Sequence, residues 1–268
     1  MIAQANDTIL LIGCGNMGGA MLRRWLANGL DPATVTVVSP SLRSMPDGVR
    51  VVAEIPEAGD FTIVMLGLKP QQLDTLRTDR LAFYAPRLLL SILAGVEIAT
   101  LASLCRAETI VRAMPNLPVA IGRGVVALHG AGDDAAARRA AEALMTPLGL
   151  VEWIADEAQF DAVTALAGCG PGFVFRFADA LARAGAAVGL PDDQAARLAI
   201  ATLEGSAMMA ASADVPPAVL ADRVASPGGS TREGLNVLDR NDALVALLTE
   251  TLDASARRNR EMAAAARR

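Results

Sequence analysis

The chain has 268 residues, 53% of them hydrophobic and only 3% aromatic, with a formal net charge of −5. That balance gives no basic field for nucleic acid. Apolar runs such as residues 61–68 and 88–96 fall short of the ~20 residues that a membrane-spanning helix needs.

The first half of the chain alternates. Residues 8–12 (TILLI) read as a buried strand, and 16–28 as a helix with Gly29 capping its carboxyl end. Further strands are expected over 35–38, 61–66, 88–93 and 109–112, and then over 125–128 and 150–153 with a helix over 133–145 between them. This succession predicts βα units and a mostly parallel, doubly wound sheet.

From about residue 155 the text becomes alanine-, leucine- and arginine-rich with helical spacing. Pro171 opens one helix and Gly189 closes it. Pro191 opens the next, which runs to about Ala211; Pro216-Pro217 then breaks the pattern, and a short helix leads to Ser226-Pro227-Gly228-Gly229-Ser230-Thr231 before two final helices. The expected fold is therefore α/β: a Rossmann-type domain over 1–154 and an all-α domain over 155–268. So apolar a composition without a membrane segment suggests surface buried between subunits. The amino-terminal MIAQAND lacks the pattern of a secretory signal. Cys14, Cys105 and Cys169 are widely spaced and match neither a metal site nor a disulfide framework. Both readings predict a cytoplasmic setting.

Gly13-Cys14-Gly15-Asn16-Met17-Gly18 is G-x-G-x-x-G between an expected strand and helix, the context that makes this motif informative. Gly13 would permit the tight turn, Gly15 the approach of a pyrophosphate and Gly18 close helix–strand packing. An NAD site usually places an acid at the end of the second strand. Here that strand runs into Ser39-Pro40-Ser41-Leu42-Arg43, and no acid comes before Asp47. Ser39, Ser41 and Arg43 suit a 2′-phosphate, so NADPH is expected, with NADH weaker.

Acid–base candidates are few. Lys69 is the only lysine among 24 basic residues, and Tyr84 and His129 are the only tyrosine and histidine. No tyrosine–lysine pair at the short-chain spacing exists, no lysine follows residue 69, and His129 falls in an expected strand. An imine nitrogen arrives basic and readily protonated, so its reduction needs little general-acid help. The composition thus favours C=N over C=O reduction. In the 226–231 loop, free backbone N–H groups at a helix start could hold a carboxylate, and the Thr231 hydroxyl could bond the reacting nitrogen. Ser230-Thr231-Arg232-Glu233 also reads as a helix-capping box.

Taken together, GCGNMG at 13–18, LKPQ at 68–71, SILAGV at 91–96, VRAMPNLPVAIGRG at 111–124, DAVTALAGCGPGF at 161–173 and SPGGSTREGL at 226–235 resemble the pyrroline-5-carboxylate reductase family along nearly the whole chain. The resemblance implies a Rossmann domain, an all-helical dimerisation domain and a homodimer that can assemble further. It also implies reduction of the cyclic imino acid 1-pyrroline-5-carboxylate to L-proline. By position, Gly228, Gly229, Ser230 and Thr231 would hold the substrate, with Ser230 and Thr231 catalytic. Lys69 and Pro70 would line the cofactor, together with Asn16 and Met17 of the loop. Met114, Pro115 and Asn116 would lie near the nicotinamide, Asn116 also touching substrate. The chain departs from the family pattern at Leu117, where threonine is usual, and at Ala167, Cys169, Gly172 and Phe173. These departures keep two alternatives open: a reductase of another cyclic imino acid, or a catalytically silent NADPH-binding homologue.

Overall fold

The computed structural model describes residues 7–266 apart from 43, 58, 77–79 and 133. Arg43 of the expected cofactor set, Asp133 at the start of an expected helix and residues 1–6 therefore lie outside the described residues.

An eight-stranded sheet organises the first part of the chain. Its strands are β1 (Ile9–Ile12), β2 (Val35–Val38), β3 (Arg50–Val52), β4 (Ile63–Leu66), β5 (Leu88–Ser91), β6 (Thr109–Pro115), β7 (Gly124–Ala131) and β8 (Gly149–Trp153). They lie in the order β3-β2-β1-β4-β5-β6-β7-β8, and all neighbours are parallel except β6 and β7. The expected strands are all present, with ends trimmed at Thr8, 61–62 and 92–93. Two differences stand out. β3 was not foreseen; it is three residues long and half exposed, too short to show a period. β6 continues past Arg112 through Met114 and Pro115, which its pairing with β7 carries as far as Val126.

Strand geometry sends successive side chains to opposite faces, and both faces are covered. Ile9 and Leu11 join Met21, Leu22 and Trp25 of α1 (Asn16–Ala27) on one side. Leu10 and Ile12 join Leu81, Tyr84 and Leu101 on the other, the last from α2 (Ile98–Ala102). α1 ends at Gly29, φ +94°, where the Leu30 N–H reaches the Trp25 carbonyl at 3.0 Å and the Gly29 N–H that of Leu26 at 3.1 Å. These paired bonds satisfy the last carbonyls of the helix. α3 (Ala135–Met145) is capped by Asp134, which accepts the Ala136 N–H at 2.7 Å.

Two compact units result: residues up to 169 with those from 255 onward, and residues 170–254. The change in sequence character at 155 precedes the compact boundary. The reason is that α4 (Phe160–Val163) and the π turn Thr164–Gly168 pack against β6. The second unit is helical: α5 (Gly170–Ala187), α6 (Asp192–Ser212), α7 (Pro217–Arg223), α8 (Ser230–Leu238) and the first turns of α9 (Ala243–Ala266). Its buried apolar residues are Ala195, Ala199 and Ala225, whereas Phe175, Ile200, Met208 and Leu247 are each about 60% exposed. A helical unit that buries alanines and exposes its large side chains carries an apolar surface that calls for a cover. Among the described residues, no helix is long and apolar enough to cross a membrane.

Candidate active site: a glycine-lined cleft and an open helix start

A cleft of about 760 Å³ opens at the carboxyl edge of the sheet in the first unit. It lies beside the point where the order β2-β1-β4 reverses, the usual ligand position in such sheets. Gly13 there has φ +84°, and a Cβ on it would meet the Leu68 amide nitrogen at 2.8 Å. A Cβ on Gly67 would in turn sit 2.7 Å from the Gly13 carbonyl oxygen. The loops after β1 and β4 thus touch backbone to backbone. Gly15 is the N-cap of α1 and supplies no side-chain cap, and nothing lies within 4 Å of where its Cβ would be. No acid occupies the first turn of α1. Open N–H donors and an uncompensated positive dipole end make this helix start a place for an anion. These features fit a dinucleotide pyrophosphate.

The structure brings most of the expected cofactor residues to this cleft. Gly13, Gly15, Asn16, Met17 and Gly18 line one part of it. Ser39 and Ser41 line the β2 end, and Lys69, Met114 and Pro115 the rest. Among the described lining residues Lys69 carries the only charge, so no carboxylate awaits a ribose hydroxyl. Two expected residues stand apart. Pro70 opens a short helical turn beyond β4 and does not line the cleft. Asn116 is buried and also outside the lining. Its Nδ2 donates to the Ala167 carbonyl at 2.9 Å and its Oδ1 accepts the Val125 N–H at 2.8 Å. Residues given no role from sequence line the cleft as well, among them Gln72, whose Oε1 accepts the Lys69 N–H at 3.0 Å, and Ile92. Gln72 follows LKPQ by one residue, at helical-turn spacing from Lys69.

His129, the lone imidazole, pairs in β7 opposite Arg112, and its Nδ1 lies 2.8 Å from the Ile154 carbonyl oxygen. It is not among the cleft residues.

In the second unit, α8 starts at Ser230 with Gly229 as N-cap, φ −80° and ψ 159°. The capping-box reading is corrected here: Ser230 is the first helical residue, not the cap, and the cap position has no side-chain hydrogen bond. The backbone accounts for this: the Gly229 carbonyl already accepts the Glu233 N–H at 3.2 Å, while the Gly229 N–H closes a turn on the Ser226 carbonyl at 2.9 Å. Gly228 adopts φ +72° with open space around it. Ser230 and Thr231 are exposed. The loop is held from behind by Arg232, which bonds Asp222 at 2.8 Å.

A βα glycine loop with an open helix start, at the carboxyl edge of a parallel sheet, defines a nucleotide-binding class of fold. Comparison with known proteins narrows the class. Residues 8–95 match the family model "NADP oxidoreductase coenzyme F420-dependent", and residues 157–262 match "Pyrroline-5-carboxylate reductase dimerisation". A pyrroline-5-carboxylate reductase of Pseudomonas aeruginosa is 34% identical over 95% of this chain and 96% of its own length. One from Aquifex aeolicus is 36% identical over 85% and 88%. The solved structure of the Coxiella burnetii enzyme superposes with a TM-score of 0.84 at 31% identity, covering 95% of this chain and 98% of that one. The chain belongs to the pyrroline-5-carboxylate reductase family.

Proposed function

We propose that the protein reduces the C=N bond of 1-pyrroline-5-carboxylate to L-proline with NADPH, the closing step of proline formation. One observation carries this reading. The cleft offers a dinucleotide site with no carboxylate or imidazole among its described lining residues, and the chain also presents the open, glycine-capped start of α8. That pairing suits a substrate that brings its own proton on nitrogen and its own carboxylate.

NADPH, when bound, supplies the hydride that the imine carbon accepts. Gly15, Asn16, Met17 and Gly18 hold its pyrophosphate through backbone N–H groups, and Gly13, whose own N–H is bonded to the Val38 carbonyl at 3.1 Å, makes the turn that lets it approach. Ser39, Ser41 and Arg43 take the 2′-phosphate, and NADH, which lacks that group, binds more weakly. A Plasmodium falciparum homologue of 24% identity is described with NADP bound. Lys69 adds positive charge beside the phosphates. The N–H groups of Gly228 and Ser230 anchor the substrate carboxylate, with Gly229, whose N–H is bonded to the Ser226 carbonyl at 2.9 Å, shaping the loop around it, and the Thr231 hydroxyl bonds the ring nitrogen, keeping its proton in place as the carbon is reduced. Pro70 and Asn116 act at one remove from the ligands.

The helical region from 155 to 268 forms a homodimer that covers the exposed apolar side chains, and the enzyme works in the cytoplasm. A second reading, reduction of a different cyclic imino acid, draws on Leu117, which is 59% exposed, and on the altered 167–173 segment.

NADPH oxidation by the purified protein, followed with 1-pyrroline-5-carboxylate and then with piperideine-type imines, tests both readings. Proline formation with pyrroline-5-carboxylate as the preferred substrate is expected. Preference for another ring supports the second reading. Cofactor binding without turnover of any imine marks a silent homologue and rejects both.

A further inference from the structure

β6 presents every second residue to one short segment of the chain. Arg112, Met114 and Asn116 stand two residues apart on the strand and its exit, and so face the same way. Arg112 is buried; its Nη1 donates to Glu157 Oε1 at 2.7 Å, and its guanidinium lies over the Phe160 ring at 4.4 Å. Glu157 Oε1 also accepts the Ile98 N–H at the start of α2, at 2.9 Å. Asn116 spends Nδ2 on the Ala167 carbonyl. Between them, Met114 reaches Gly168 so closely that a Cβ there would sit 2.7 Å from its Cε.

Met114 is the one member of the three that also lines the cofactor cleft. On its other side lies a small cavity shared with Arg112, Phe160, Thr164 and Asn259. The thioether is seated against Gly168, so the placement of the Gly168 segment sets where it rests. The cleft runs from the end of β2 to the end of β6. With the 2′-phosphate at Ser39 and Ser41 and the pyrophosphate at the β1 loop, the Met114 end receives the nicotinamide.

We propose that Arg112 and Asn116 are positioning residues: they latch β6 to residues 157–168 and thereby set where Met114 rests against the nicotinamide. Neither touches the ligands. This rests on the reading of the cleft as a dinucleotide site. Arg112 holds the near end of the latch through a buried charge pair and a stacked ring. Asn116 holds the far end and at the same time ties in β7 through the Val125 N–H. Gly168 leaves the space into which Met114 fits.

The test is Asn116→Asp, which keeps the acceptor for Val125 and turns the donor facing Ala167 into a repelling oxygen. Three readouts are needed: the ¹³C-methyl resonance of Met114 in the ligand-free protein, assigned through Met114→Leu; the NADPH Kd by fluorescence; and kcat and KM with 1-pyrroline-5-carboxylate. A shifted Met114 resonance is expected, with kcat lower by about tenfold. NADPH Kd should move far less than kcat, because the phosphate contacts lie elsewhere. A merely structural role would lower the folded fraction and leave the Met114 resonance of the folded protein unmoved; that result overturns the proposal. Equal loss of NADPH affinity and kcat would mean that Asn116 touches the cofactor, and overturns it too. Should Asn116→Asp not fold, Gly168→Ala displaces Met114 directly and must show the same resonance shift and fall in kcat; its absence rejects the latch. If the wild-type protein turns over no imine, the functional reading fails. The Met114 resonance in the Asn116→Asp protein then decides the latch alone.

Discussion

A Cβ on Gly13 would lie 2.8 Å from the amide nitrogen of Leu68, whereas one on Gly15 would meet nothing within 4 Å. The two glycines of one motif therefore serve different ends. Gly13 holds the β1 and β4 loops together; Gly15 keeps a path open to the α1 N–H groups. Gly13→Ala should cost about 2–3 kcal/mol of stability, since both its φ of +84° and its backbone neighbour resist a side chain. Gly15→Ala should fold within about 0.5 kcal/mol of the wild type and weaken NADPH by about tenfold or more, roughly 1.4 kcal/mol. Urea melts and fluorescence titrations of both variants check the contrast. NADPH binding by Gly15→Ala at wild-type strength would remove the pyrophosphate from this helix start.

Much of this was legible in the sequence, and the exceptions have physical causes. TILLI followed by GCGNMG carries its own context, so strand, turn and helix could be placed from residues alone. β3 could not, because Arg50–Val52 is an edge strand shorter than one readable period. The use of Asn116 was hidden because its partners, Val125 and Ala167, stand 9 and 51 residues away; only the family resemblance assigned it a role, beside the ligands. Ser230-x-x-Glu233 fits a capping box by spacing, but the Glu233 N–H bonds the Gly229 carbonyl, which puts the cap one residue earlier. Gln72 had a signal, three residues after the lone lysine, which composition alone does not weigh.

Thr231 and Ser230 are exposed at the start of α8. If the Thr231 hydroxyl bonds the ring nitrogen, Thr231→Ala should lower kcat by about ten- to a hundredfold and leave NADPH Kd almost unchanged. Thr231→Ser, which keeps the hydroxyl, should recover most of the loss. Steady-state kinetics with a separate NADPH titration distinguish the cases. A parallel loss of NADPH affinity would take Thr231 away from the substrate.

Ser39 and Ser41 line the β2 end of a cleft whose described lining holds no carboxylate. Ser39 is buried, and its N–H is bonded to the Val52 carbonyl at 2.9 Å, so Ser41 is the safer site for change. Ser41→Asp should repel a 2′-phosphate and accept from a ribose hydroxyl. The NADPH/NADH ratio of kcat/KM should then fall by at least about tenfold. Arg43→Ala should weaken NADPH much more than NADH. Equal weakening of both cofactors in Arg43→Ala would place the 2′-phosphate contact elsewhere.

Cys105 is 6% exposed, and burial pushes its thiol from the ordinary 9.0 up to about 11, with the backbone at Ala107 pulling weakly the other way. Because the folded value lies above the unfolded one, the unfolded chain loses this proton first. The corresponding stability is complete below pH 9 and is lost as pH rises towards 11, by about 2 kcal/mol. Tyr84 adds to the same trend at still higher pH, because burial raises its phenol against the opposing pull of Arg80. Urea melts of the wild type and Cys105→Ala across this window provide the check. The variant starts lower, having lost a buried side chain, but its stability should fall less steeply with pH, so the two curves converge. Parallel curves would show that the thiol does not titrate in the folded core as its burial requires.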